Sequence, residues 1–332
     1  MPNFEPLLHN PHLQTLAGNF WKRPDAGAQF PIERRLVPTE PGVKVLVESQ
    51  HPAGETRGDI VMVHGLEGSG KAGYMRSLAV AALRAGFAAH RFHMRTCGGT
   101  GHLCNTLYHA GLTSDLLAFL RQLGAPAFLV GFSLGGNVVL KLAGELGETA
   151  LGKSALSKTA LDKSVLLRGV CAISTPIDLA ACARRIGERD NLIYERRFAN
   201  RMAARLLATG RYSRRDLAGL SSVFQIDDRI TAPSFGFGDA LNYYKTQSAA
   251  RYLDAIRVPA LLIQAKDDTF IPFGVFESQA VKSNPNIELV ATEYGGHLGF
   301  IGRRPHRFWV DAAIMEWILA RSATKSAATA FR

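Results

Sequence analysis

Short apolar runs alternate along the chain with stretches of helical periodicity. Ile60 to Val63 is an apolar segment ending at His64-Gly65, which suits a buried parallel strand. Met75, Leu78, Ala79, Ala82 and Leu83 then recur at helical spacing, and Gly86 is placed to end that helix in a left-handed conformation. The unit repeats. Phe87 to Met94 is expected as strand, Thr113 to Leu123 as helix capped by Thr113 or Ser114, Ala127 to Val130 as strand and Leu134 to Leu146 as helix. Strands are expected again around Val170 to Ile173, at Ala260 to Ala265 and at Ile287 to Ala291. Trp309, Val310, Ala313, Ile314, Trp317 and Ile318 mark a closing amphipathic helix.

Alternating strands and helices imply an α/β architecture, a mostly parallel central sheet flanked by helices on both faces. Phe30 to Val47 is placed to add antiparallel strands at one edge. The alternation stops between Asp178 and about Leu253, where a helical, Arg-rich segment carries Phe198, Met202 and Leu206 on one stripe and Arg197, Arg201 and Arg205 beside it. The pattern predicts one domain over residues 1–332 with a helical cap insertion at about 178–253. Gly152 to Ser164 is expected as a surface loop and Ser322 to Arg332 as a frayed tail.

Composition narrows the function classes. Of 332 residues, 47% are hydrophobic and 20% charged, close to the average for soluble globular proteins. A net charge of +11 favours anionic partners without fixing one, and the aromatic-plus-basic signatures of RNA-binding modules are missing, so no nucleic-acid partner is expected. Cys97, Cys104, Cys171 and Cys182 are too few to staple a chain of this length and are expected as reduced thiols, which makes the cytoplasm the default location. Met1 to Asn10 lacks the pattern of a secretory signal, and Gly, Ser and Asn interrupt the apolar stretch Ala125 to Ala143, so no membrane span is expected.

Gly131-Phe132-Ser133-Leu134-Gly135 matches the G-x-S-x-G nucleophile elbow, and it lies where a predicted strand turns into a predicted helix, as that motif requires. A serine hydroxyl needs a histidine to remove its proton, and the histidine needs a carboxylate to fix its tautomer. His297, in Gly295-Gly296-His297-Leu298-Gly299-Phe300 beyond the last predicted strand, is the candidate base. Asp268, after the strand ending near Ala265, is the favoured acid, with Asp267 second and Asp178 a further alternative. The oxyanion of the reaction needs two backbone donors, for which the amides of Leu134 and Leu66 are the candidates. His64 is expected to shape the Leu66 loop.

Two other patterns compete. Gly65-Leu66-Glu67-Gly68-Ser69-Gly70-Lys71 matches a phosphate-binding P-loop until Ala72, where a magnesium-binding hydroxyl should stand. His90, His93, Cys97, His102, Cys104 and His109 are suitable zinc ligands by type, but their spacing fits no common site. Neither a metal nor another cofactor is expected.

The sequence resembles the YheT-type branch of the α/β-hydrolases, which is similar to plant embryogenesis-associated proteins and animal abhydrolase-domain lipases. The matching stretches are Asn10-Pro11-His12-Leu13-Gln14-Thr15-Leu16, His64-Gly65-Leu66-Glu67-Gly68, Gly131 to Asn137, the Asp267-Asp268 turn and Gly295 to Phe300. The resemblance implies the α/β-hydrolase fold, a triad of Ser133, Asp268 and His297 with Asp268 preferred to Asp267, and carboxylesterase or acylglycerol lipase activity on short to medium acyl chains. The chain departs from the family pattern at Arg95-Thr96-Cys97, where Arg-Gly-Cys is usual, and at Thr269, where Pro commonly follows the Asp pair.

The expected substrate is therefore a small-molecule or lipid ester. Transfer of the acyl group to an alcohol would use the same constellation, and a catalytically silent binding protein would keep the fold alone. Arg184, Arg185, Arg196, Arg197, Arg201 and Arg205 make the cap a candidate for weak peripheral contact with anionic membranes.

Overall fold

The computed structural model describes residues 1–150 and 167–323. Strands β1 (Glu33–Glu40), β2 (Val43–Gln50), β3 (Asp59–Val63), β4 (Ala88–Phe92), β5 (Ala127–Phe132), β6 (Leu167–Ile173), β7 (Ala260–Ala265) and β8 (Ile287–Thr292) form one sheet. Its order is β1-β2-β4-β3-β5-β6-β7-β8, with β1 and β2 antiparallel to their neighbours and the others parallel. The side-chain period of two sends alternate residues of each central strand to opposite faces. Val61, Val63, Leu129, Val170 and Leu262 pack on one face against helices α3 (Ser114–Leu123) and α4 (Leu134–Ala150). Ile60, Met62, Phe128, Val130, Cys171 and Leu261 pack on the other, against α2 (Gly73–Arg84) and the closing helix Trp309–Ala323. Burial on both faces explains the unbroken apolar runs of β3, β5 and β7.

The chain leaves β3 toward β4 but leaves β5 toward β6, so the strand order reverses between β3 and β5. In an open α/β sheet the crevice beyond the strand ends at such a reversal is the usual place for a ligand site. The candidate nucleophile follows β5 and the candidate oxyanion loop follows β3, so both lie there.

Gly86 ends α2 at φ +85°, as its position in the sequence predicts. Thr113 stands at the N-cap of α3 but makes no capping bond; its hydroxyl donates to Glu145 Oε2 at 2.6 Å instead. Helix α4 runs four residues beyond the expected Leu146, to Ala150. Ser322 and Ala323 belong to the closing helix and not to a tail; the remainder of that tail, like the expected loop at Gly152 to Ser164, lies outside the described residues. Between β6 and β7 the structure is helical, beginning with α5 (Leu179–Ile186) and α6 (Leu192–Ala208). Met202 and Leu206 of α6 pack with Val223 and Ile226 of α7 (Val223–Ile226) in a small core of their own. Among the described residues no helix is long and apolar enough to cross a membrane.

Candidate active site

Ser133 occupies the turn from β5 into α4 with φ +51°, a left-handed conformation that side chains rarely adopt. The turn closes only because its neighbours lack Cβ atoms. A Cβ on Gly131 would lie 2.3 Å from the Gly135 carbonyl oxygen, and one on Gly135 would lie 2.3 Å from the Val63 carbonyl oxygen. His297 Nε2 is 3.0 Å from Ser133 Oγ, and His297 Nδ1 is 3.0 and 3.2 Å from the two carboxylate oxygens of Asp268. Asp268 Oδ1 also accepts from the amides of Phe270 and Ile271, at 2.9 and 3.2 Å, and Oδ2 from Gln264 Nε2 at 3.1 Å. The carboxylate is therefore held from both sides while it faces the imidazole.

The alternative acids are engaged elsewhere. Asp267 accepts from the Gly296 amide at 2.9 Å and braces the histidine loop, and burial raises its pKa. Asp178 caps α5 by accepting from the Ala181 amide.

Helix α1 (Pro11–Phe20) buttresses the histidine loop and gives the Asn-Pro-His-Leu-Gln-Thr segment a physical role that its pattern did not reveal. Asn10 caps the helix, and the buried Thr15 hydroxyl accepts from the His297 amide at 2.9 Å. Gln14, fully buried, donates to the carbonyls of Leu8 and Ile301 and accepts from the Ile301 amide. The two surfaces meet so closely that a Cβ on Gly18 would lie 2.6 Å from Gly299 Cα.

The loop after β3 passes beside the serine, since a Cβ built on Gly65 would lie 3.6 Å from Ser133 Oγ. Leu134 is the first residue of α4, where an amide has no acceptor within the helix. The Gly65 amide donates to Tyr74 Oη and the Glu67 amide to Tyr108 Oη, each at 3.2 Å, while the Leu66 amide between them has no partner among the described residues. His64 shapes this loop. Its Nδ1 lies 2.8 Å from the Gly65 carbonyl oxygen, its Nε2 accepts from the Met94 amide at 3.2 Å, and burial pushes its pKa down to about 3.

Sequence reasoning missed what holds Glu67, which stands at φ +53°. Tyr108 Oη and Arg205 Nε both donate to Glu67 Oε1, at 3.0 and 2.8 Å, and Arg201 Nη2 donates to the Glu67 carbonyl at 2.5 Å. Arg205 also stacks 4.7 Å above the Tyr108 ring and donates to Thr96 Oγ1 at 3.0 Å. Thr96, where the resemblance leads to the expectation of glycine, has φ +63°, a conformation that glycine adopts at less cost than a residue with a side chain.

The family model described as alpha/beta hydrolase family matches residues 60–312. The chain is 32% identical to the "Putative esterase YheT" of Escherichia coli (strain K12), with 96% of this chain and 92% of that protein covered. The chain belongs to the alpha/beta hydrolase family. This hydrolase is also 26% identical to the monoacylglycerol lipase of Saccharomyces cerevisiae over 75% of this chain and 56% of that one. Among solved structures, the Pyrococcus furiosus esterase Pf2001 superposes with a TM-score of 0.58 at 17% identity, covering 96% of this chain and 98% of that one; at that identity the likeness shows the fold alone.

Two compartments of the hydrolase meet at Ser133, His297, Leu66, Phe198 and Phe270. One runs beneath the insertion and is walled by Leu179, Cys182, Ala183, Ile186, Met202 and Ile271, with His109, Asp227 and Tyr244 among its polar residues. Burial lowers the His109 pKa to about 3 and raises that of Asp227 to about 6. The other lies toward α1 and the Gly65 to Ala72 loop and carries Lys71, Arg197 and Arg201.

The zinc-like cluster is dispersed by its contacts. His90 lies between Ser49 and Asp59, His93 accepts from the Gly70 amide, and His109 packs against Phe235 and Phe237. All four cysteines are free and buried. Two of the six arginines expected on the cap surface are neutralised internally, Arg185 by Glu188 and Asp190 and Arg205 by Glu67.

Proposed function

We propose that this hydrolase cleaves carboxylic esters through Ser133, His297 and Asp268. The observation that carries the proposal is the unbroken hydrogen-bonded series from Ser133 Oγ through the imidazole to Asp268, at 3.0 Å on each side. Ser133 Oγ attacks the acyl carbon while His297 Nε2 takes its proton. The oxygen of the tetrahedral intermediate is held by the Leu66 and Leu134 amides, and collapse breaks the bond to the alcohol oxygen, which leaves with the proton from His297. Water, deprotonated by His297, then releases the acid. Asp268 keeps the Nδ1 proton in place and stabilises the imidazolium. No cofactor is required.

The whole chain is read as one hydrolase domain whose helical segment at about 178–253 caps the site and walls the apolar acyl compartment; the esters we propose carry short to medium acyl chains. Exposed Arg184, together with exposed Arg196, which lines a surface hollow with the exposed Ile193, supports weak peripheral contact with anionic membranes; the idea is dropped if anionic liposomes at low salt do not bind the protein.

Hydrolysis of p-nitrophenyl esters from acetate to palmitate tests the central reading. The native protein should turn over a subset defined by chain length, and Ser133→Ala should lose at least about 10³-fold. Equal activity of the two proteins would remove Ser133 from the mechanism.

A further inference from the structure

The two compartments at Ser133 differ in charge. Among the described residues the acyl side has one Lys or Arg side chain, Arg205, already paired with Glu67. The opposite side is walled by Lys71, Arg197 and Arg201, and no carboxylate belongs to its wall among the described residues. None of these three makes an ion pair among the described residues: Arg197 stacks on the Phe20 ring at 5.7 Å, and Arg201 spends one donor on the Glu67 carbonyl. Arg197 and Arg201 stand one turn apart on α6, where like charges repel. Arg185 and Arg205 of the same insertion each have an acidic partner, so the unpaired state of this group is not a general property of its arginines.

From these observations we propose that the alcohol half of the ester carries a phosphate, bound by Lys71, Arg197 and Arg201 on the leaving-group side of Ser133. A phosphate monoester presents nearly two charges and three acceptor oxygens, which suits a wall bearing three cations better than a single carboxylate does. Ser69, Asn19 and Thr15 add polar groups to the same wall. The segment Gly65 to Lys71, which resembles a P-loop up to Ala72, brings Lys71 to the same compartment as Arg197 and Arg201 of α6. The chemistry is that of the proposed ester cleavage, on which this inference rests. The serine–acyl bond forms, the bond from the acyl carbon to the alcohol oxygen breaks, and the phosphorylated alcohol departs with the proton from His297; no phosphate bond is made or broken.

The test compares hexanoylglycerol with hexanoylglycerol phosphate, both as monomers at low salt, in the native protein and in Lys71→Gln/Arg197→Gln. The native kcat/KM should favour the phosphate ester by at least about tenfold, the scale of one hydrogen bond to a charged group. The ratio should fall toward one in the double variant and at high salt, and inorganic phosphate should inhibit competitively. A native ratio near one, or a ratio the double variant retains, overturns the proposal. If the ratio is retained but the variant no longer binds phosphatidylserine vesicles, the cations serve a lipid surface and the subsite is rejected. Turnover of p-nitrophenyl esters but neither glycerol ester rejects the subsite and leaves ester cleavage standing, whereas no turnover of any ester rejects both.

Discussion

Arg205 Nε donates to Glu67 Oε1 at 2.8 Å, and this buried pair ties helix α6 to the loop that carries the Leu66 amide. Removing one member of a buried pair leaves the other charge uncompensated, at about 3–5 kcal/mol. Arg205→Met should therefore destabilise the protein by about that much in urea unfolding. Glu67 would also lose a restraint on its left-handed backbone, so kcat should fall by about tenfold or more, bounded by the 10²–10³ that loss of a whole oxyanion donor costs. Arg205→Met/Glu67→Gln should be less destabilised than the sum of the single variants. Unchanged kcat in Arg205→Met would mean that α6 braces the fold without aligning the loop.

Three aspartates compete for the role of acid, and substitution separates them. Asp268→Asn should reduce kcat by about 10³–10⁴, because an amide favours the wrong imidazole tautomer. Asp267→Asn can still accept from the Gly296 amide and should cost about tenfold or less, well short of a charge-bearing partner's loss. Asp178→Ala should remove only a helix cap, about 1 kcal/mol of stability, with kcat preserved. An Asp267→Asn defect as large as that of Asp268→Asn would reverse the assignment.

Much of this candidate site was legible in the sequence because its parts are local. The elbow and the acid turn follow β5 and β7, whose apolar runs mark them, the histidine loop follows the more mixed pattern of β8, and chemistry dictates which residue types must meet. The helix of Met75, Leu78, Ala79, Ala82 and Leu83 buries all five, as its spacing predicts. What stayed hidden is long-range. Glu67 and Arg205 are separated by 138 positions, and no periodicity pairs a loop carboxylate with one arginine among several on a helix. Thr113 satisfies every local rule for a cap, yet its hydroxyl turns to Glu145, since tertiary partners compete with the backbone for short polar side chains.

Asp227 should make stability depend on pH. Burial raises its pKa from the ordinary 3.8 to about 6, although Tyr244 Oη donates to its Oδ2 at 2.8 Å. A raised folded-state pKa means that the folded protein holds the proton more tightly than the unfolded chain. Its contribution is present below about pH 4 and is lost as pH rises through about 6, amounting to about 3 kcal/mol for a shift of some two pH units. Asp311 is raised to about 6 by burial as well and adds a slope of the same sign. Asp227→Asn, which can still accept from Tyr244, should flatten the fall in unfolding free energy between about pH 4 and about pH 7 without abolishing it. An identical slope in the variant would show that Asp227 titrates normally.

The direction in which the acyl chain lies can be decided at Ala183, which is half-buried on the wall of the apolar compartment beside Cys182 and Ile186. Phenylalanine there would occupy space in the compartment while keeping its apolar character, leaving Ser133, His297 and the basic compartment untouched. Each methylene a substrate can bury in such a pocket is worth about 0.8 kcal/mol, and the benefit ends where the wall begins. Across the p-nitrophenyl series, Ala183→Phe should move the optimum kcat/KM to shorter chains, retain acetate hydrolysis and lose about tenfold or more on the native optimum, the cost of about two methylenes. If the acyl chain instead ran toward α1, Ala183→Phe would leave the chain-length profile unchanged, and bulk introduced at the exposed Asn19 of the opposite wall would shift it.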